Sequence, residues 1–140
     1  MPPTITLHET AAEPALREIL AAVRTFNHVT SGIPRGRSFT VEARDAAGEL
    51  VGGLAGDLWG SAFHLNALWL REDLRRAGLG SELVRRAEDH ARAQGFTVAY
   101  VETLSFQARP FYEKHGYRVF GTIESVAPGV DYYFLGKRLA

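Results

Sequence analysis

Hydrophobic positions in this chain follow a helical period first, then an alternating one, and the change falls near residue 38. In "EPALREILAAVRTFN", Leu16, Ile19, Leu20, Val23 and Asn27 share one helical face, apolar at the first four, and Pro14 suits a first turn. The run Asn27 to Arg37 carries Gly32, Pro34 and Gly36 and reads as a loop. Alternation then begins. "SFTVEAR" points Phe39, Val41 and Ala43 inward, "AAG" turns the chain, and "ELVGGLAGDLWG" forms a second strand whose Gly52 and Gly53 predict a bulge or close backbone approach. "SAFHLNALWL" is a third strand with Phe63, Leu65, Ala67 and Trp69 on one side, which completes an antiparallel meander.

The helical period returns from about Gly78 to Gln94, with Leu79, Leu83, Ala87 and Ala91 as the apolar stripe and Gly95 as the stop. Arg85, Arg86 and Arg92 alternate with Glu82, Glu88 and Asp89 on what reads as a solvated face. "FTVAYVETL" follows as a strand, and a strand, crossover helix and strand of this length favour parallel pairing. "QARPFYEKHG" is a short helix with Pro110 in its first turn and Gly116 past its end. "YRVFGTI" and "DYYFLGKRL" are two last strands, joined by the turn-like "ESVAPGV". The prediction is one α+β domain over residues 1–140 with a mixed sheet.

Composition narrows the function. Lys+Arg and Asp+Glu both total 16, so no basic excess favours nucleic acid. The absence of cysteine removes disulfides, thiolate metal sites and cysteine nucleophiles. The five histidines show no metal-ligand spacing, and no metal is expected. No apolar run nears the roughly 20 residues that span a bilayer, and no secretory signal opens the chain, so a cytoplasmic protein without membrane partners is expected. Trp59, Trp69, Tyr132, Tyr133 and Phe134 read as core or sheet-face aromatics.

The stretch "RRAGLGSELVRRAE" carries the candidate chemistry. A helix N-terminus presents unpaired N–H groups and the positive end of a dipole, so it suits an anion. Gly78 and Gly80 let the backbone come close, Arg75 and Arg76 add charged donors, and Ser81 adds a hydroxyl. A nucleotide P-loop needs Gly-Lys-Ser/Thr where Gly80-Ser81-Glu82 stands, and a dinucleotide fingerprint needs glycine at Leu83. A phosphate ester of another kind fits better than either, with a plain glycine loop and solvated arginines as the alternative reading of this stretch alone.

The surroundings of this mouth resemble a known family. Arg75, Gly78 and Gly80 match the Arg/Gln-x-x-Gly-x-Gly/Ala motif of the GCN5-related N-acetyltransferase (GNAT) superfamily. Downstream, Ala108, Phe111, Tyr112, Gly116 and Tyr117 match its later Asn-x-x-Ala-x-x-Phe-Tyr-x-x-x-Gly-Tyr/Phe motif, with Ser105 where asparagine is frequent. The resemblance covers about Phe39 to Phe120 and is similar to small bacterial members. It implies a GNAT-like sheet in which an antiparallel meander leads to two parallel strands that splay apart. It also implies acetyl-CoA as cosubstrate, held by Trp69, Leu70, Arg75, Arg76, Ala77, Gly78, Leu79, Gly80, Ser81, Ser105, Ala108 and Phe111.

Acetyl transfer to an amine needs a proton acceptor for the amine, a donor for the oxyanion and a donor for the departing thiolate. Tyr112 matches the family's general acid. Glu102 is the leading base, with Glu72, Asp73 and His28 as rivals and a water relay as a further route. The expected function is N-acetylation of a primary amine, small-molecule before protein or peptide, with acceptor choice in the loops Asn27 to Arg37 and Ser125 to Asp131. The alternative from another class is an acyl-CoA-binding module without turnover. Self-association as a homodimer is left open.

Overall fold

The computed structural model describes residues 1–139, which form two units, Met1–Arg35 and the remainder from Gly36 onward. The first unit holds α1, Glu13–Ser31. The helix runs four residues past the expected end, because His28, Val29, Thr30 and Ser31 include no breaker. It stops at Gly32, whose left-handed conformation (φ 72°) turns its N–H back onto the His28 carbonyl at 2.8 Å. The expected loop is therefore shorter at its N-terminal side.

The second unit is built on six strands: β1 Arg37–Arg44, β2 Leu50–Trp59, β3 Ala62–Leu70, β4 Val98–Leu104, β5 Arg118–Ala127 and β6 Val130–Arg138. They lie in the order β1-β2-β3-β4-β6-β5. The β1, β2 and β3 strands form the antiparallel meander that the alternation predicts. β3 and β4 are parallel, and β6 returns antiparallel between β4 and β5. Phe39, Val41 and Ala43 are half-buried on β1 as expected. Close approach at Gly52 is also found, since a Cβ there would lie 2.7 Å from Leu70 Cδ2.

One residue of β3 changes the reading of the strand. Ala55 pairs with Ala67 and Gly56 with Leu65, which leaves Asn66 as an extra residue. A bulge inverts the alternation beyond it. Phe63 and Leu65 face the core, but Leu68 and Leu70 then join it, while Ala67 and Trp69 turn outward. The uninterrupted alternation expected for Ala67 and Trp69 is corrected by that bulge. The bulge also ends the contact with β4: pairing stops at Leu65 and Val101, although β3 runs on to Leu70 and β4 to Leu104. The two strands splay.

α2, Leu79–Ala93, crosses from β3 to β4 and buries Leu83, Val84, Ala87 and Ala91 against Leu58, Phe63, Leu65 and Val101. Each such side chain contributes about 1.5–3 kcal/mol when fully buried, somewhat less for the alanines. Glu88 departs from the expected solvated face. It is 5 % exposed, accepts the Tyr117 hydroxyl at 2.8 Å and the Lys137 ammonium at 2.9 Å. Lys137 also donates to the His115 carbonyl at 2.8 Å, so one carboxylate ties α2 to β6 and to the turn before β5. α3, Arg109–Lys114, has Pro110 in its first turn and leads into Gly116 at φ 90°. The expected turn "ESVAPGV" is mostly strand: β5 continues to Ala127, Ser125 (φ 52°) takes up a register shift, and only Pro128 and Gly129 turn. Asp131 Oδ1 stabilises the irregularity by accepting the Ser125 N–H at 3.0 Å.

Candidate active site

The chain between β3 and α2 makes a 3-10 turn, Glu72–Leu74, then reverses through Arg76 (φ 68°) and Gly78 (φ 85°). Positive φ at the N-cap is costly for a side chain with a Cβ, and glycine removes that cost at Gly78. Among the described residues, no acceptor meets the backbone N–H groups of Ala77, Gly78, Leu79, Gly80 or Ser81; the first helical bond there is Glu82 N–H to the Gly78 carbonyl. Gly80 is buried, and a Cβ on it would lie 3.4 Å from Leu70 Cδ1 and 3.6 Å from the Phe111 ring. Unpaired donors in a partly buried, arginine-flanked mouth are the chemistry an anion requires.

A cavity of about 710 Å³ opens at this mouth, lined by Trp69, Leu70, Arg75, Arg76, Gly78, Gly80, Ser81, Ala108 and Phe111. All nine were singled out in the sequence. Leu68, Phe106, Gln107 and Lys114 also line it and were not. Arg75 Nε donates to the Leu70 carbonyl at 3.1 Å, which fastens the loop to the end of β3. Ser81 Oγ lies 2.9 Å from His115 Nε2, and burial holds that imidazole below its ordinary pKa. Ala77 is exposed beside the mouth and Leu79 is the half-buried first residue of α2. Ser105 lines no part of the cavity: its hydroxyl accepts the Asp131 N–H at 3.0 Å.

The splay itself is a second cavity, about 260 Å³, between Leu65, Asn66, Ala67 and Leu68 of β3 and Val101, Glu102 and Thr103 of β4. Leu68, Gln107 and Ala108 line both cavities, so the two adjoin. Tyr112 closes the second one from α3. Its ring packs edge-on to Phe111 and Tyr117, with centroids 5.2 and 5.8 Å away. The residue is 5 % exposed and its hydroxyl has no partner among the described residues. No buried side-chain polar atom is both sealed and unpartnered among those residues, so this hydroxyl keeps open surface. Burial pushes the phenol up to about 12, which keeps it protonated at neutral pH.

Glu102 lines the same splay, and its Oε2 lies 2.7 Å from His64 Nε2. Of its rivals, Asp73 and Glu72 line neither cavity. Asp73 is exposed and paired with Arg71 at 2.6 Å, a contact that lowers the carboxyl's pKa; Glu72 is exposed; His28 belongs to the first unit and faces the Ile33 carbonyl. Among the described residues, no group of three or more ligating side chains is placed to hold a metal ion. No helix among them is long and apolar enough to cross a membrane. A larger hollow of about 810 Å³, lined by Tyr100, Phe120 and Arg138 among others, joins neither cavity.

A meander, a bulge-driven splay and a glycine mouth on the crossover helix define an acetyltransferase fold of the GNAT type. The model of the Acetyltransferase (GNAT) family matches residues 6–117, and the chain belongs to that family. It is 43% identical over 93 residues to the blasticidin-S acetyltransferase of Streptomyces morookaense, covering 66% of this chain and 68% of that one. Its fold matches an acetyltransferase from Bacillus cereus at a TM-score of 0.85, with 28% identity over 95% of this chain and 97% of the other. An acetyltransferase from Agrobacterium tumefaciens superposes at 0.89, with 25% identity over 96% and 98% of the two chains. The protein is an acyl-CoA-dependent N-acetyltransferase.

Proposed function

We propose that the protein transfers the acetyl group of acetyl-CoA to a primary amine of a small molecule, with Tyr112 as general acid and Glu102 as base. The family model runs across both units, which supports reading residues 1–140 as one acetyltransferase domain. The observation that carries the reading is that two adjoining cavities share Leu68, Gln107 and Ala108. One end is a cradle of free N–H groups and arginines, and the other holds a protonated phenol and a carboxylate.

In this reading the diphosphate rests on the amides from Ala77 to Ser81, with Arg75, Arg76 and Lys114 as charged neighbours. The pantetheine arm lies along the edge of β3 that β4 leaves unpaired, near Trp69 and Leu70, where a backbone amide receives the developing oxyanion. Gln107 takes the polar contact expected of Ser105, since Gln107 lines both cavities and Ser105 lines neither. The thioester supplies an activated acetyl group. Glu102 removes the proton of the incoming ammonium, and the freed electron pair attacks the carbonyl. As the C–S bond breaks, Tyr112 donates its proton to the departing sulfur, and the second proton shed by the acetylated nitrogen restores the phenol. A phenol near 12 outlasts a free thiol, whose reference is about 8.5, but the same desolvation raises the basicity of a thiolate in the slot.

The similarity to a blasticidin-S acetyltransferase supports a small-molecule acceptor. The test is release of free thiol from acetyl-CoA with blasticidin S and a panel of aminoglycosides, polyamines and amino-terminal peptides, with product mass as a second readout. Acetylation of a small amine at a saturable rate is expected. Turnover on peptides alone moves the acceptor class, and CoA binding without turnover on any amine leaves the acyl-CoA-binding module.

A further inference from the structure

The sheet face away from α2 carries a polar cluster around Glu102 whose other members the reaction as described leaves unused. Phe63 and Leu65 of β3, Val101 of β4 and Leu58 of β2 point into the core, so their alternate neighbours His64, Glu102 and Asp57 share the other face. His64 stands between the two carboxylates, with Nε2 2.7 Å from Glu102 Oε2 and Nδ1 3.4 Å from Asp57 Oδ2. Its ring stacks on Tyr100 at a centroid distance of 4.5 Å and 13° between planes. Two further bonds fix the frame: Ser38 Oγ donates to Asp57 Oδ1 at 2.7 Å, and Trp59 Nε1 donates to the Tyr100 hydroxyl at 2.9 Å. His64 and Glu102 are each about one-fifth exposed in their side chains, so the pair is screened less than a surface ion pair.

We propose that His64 is a positioning residue for Glu102: the imidazole holds one carboxylate oxygen and leaves the other for the acceptor ammonium, while Asp57 fixes the imidazole. The inference rests on Glu102 being the base. A base works only within hydrogen-bond reach of the proton it takes, and a free glutamate on a strand samples several rotamers. The bond from His64 removes that freedom from Oε2, and Oε1 has no partner among the described residues. In the step itself, one ammonium N–H bond breaks and its electron pair stays on nitrogen as the nucleophile. The proton forms an O–H bond at Glu102 Oε1, and it passes to solvent before the next turnover. The His64 bond to Oε2 persists throughout.

The test is steady-state kinetics with acetyl-CoA and blasticidin S, or the best acceptor of the amine panel. His64→Phe keeps the ring stacked on Tyr100 and removes both nitrogens. It lowers kcat about 10- to 100-fold, part of the roughly 100- to 10,000-fold that a positioned base supplies, with KM for acetyl-CoA unchanged. His64→Gln restores a donor near the Nε2 position and recovers most of the loss. The His64→Phe/Glu102→Gln double variant is no slower than Glu102→Gln alone, because both act through one carboxylate. Should His64→Phe not fold, Asp57→Asn carries the same expectation of a lowered kcat without a change in KM. Wild-type kcat in the folded His64 variant, or losses that multiply in the double variant, overturn the inference while the base reading stands. Wild-type turnover by Glu102→Gln overturns the base reading and the inference with it.

Discussion

Tyr112 is the residue on which the proposed chemistry can be tested with the least disturbance to the fold. Replacing it with phenylalanine removes one hydroxyl that has no partner among the described residues, and keeps the edge contacts to Phe111 and Tyr117. Tyr112→Phe is expected to hold its unfolding midpoint and CoA affinity while kcat falls about 100- to 10,000-fold. Wild-type turnover with chemistry rate-limiting would make Tyr112 a packing residue. The pH profile is a second check. A free tyrosine loses its proton near about 10, but burial moves Tyr112 up to about 12. The acid form therefore persists, and kcat shows no descending basic limb from this group below about pH 10. A limb well below that, absent in Tyr112→Phe, would contradict the assignment. Gly80 is the matching residue at the other end. Gly80→Val places a Cβ 3.4 Å from Leu70 Cδ1 and adds two methyls to the mouth. Calorimetry should show CoA affinity lost far more than stability; normal CoA binding would make Gly80 a turn residue only.

At the scale of elements, α2 is held by one buried carboxylate. Glu88→Ala leaves the Tyr117 hydroxyl without its acceptor and Lys137 with the His115 carbonyl alone, and breaking such a buried pair costs about 3–5 kcal/mol. Chemical denaturation measures it, and a loss below about 1 kcal/mol would show that solvent replaces the carboxylate. This contact was not legible in the sequence, where Glu88 sits among alternating charges and nothing local reveals that Lys137 reaches it from 49 residues away. The bulge at Asn66 was equally hidden. A strand's alternation can be read residue by residue, but a single extra residue is set by pairing with β2 and inverts all that follows. The glycine mouth was legible because its chemistry is local: Arg75 to Ser81 are contiguous, and free N–H groups at a helix start follow from geometry. His64, Gln107 and Lys114 were not, since each joins the site only through the sheet or the α3 fold-back.

For the molecule as a whole, binding and stability are two readings of one equilibrium. A ligand that binds only the folded chain stabilises it by about 2.7 kcal/mol at 100 times its Kd, so CoA should raise the melting temperature with concentration. The zero formal net charge means that this shift comes from a local cradle and not from a general basic surface. Arg76→Ala and Lys114→Ala should each reduce it at low salt, and equal shifts in both variants and wild type would place the anion elsewhere. The central claim is geometric, and a crystal structure with acetyl-CoA tests it most directly. The expected complex has the diphosphate on the amides from Ala77 to Ser81, the pantetheine in the splay between β3 and β4, and the thioester sulfur within hydrogen-bond reach of the Tyr112 hydroxyl. A cofactor bound outside the splay, or one whose sulfur lies far from Tyr112, would contradict it.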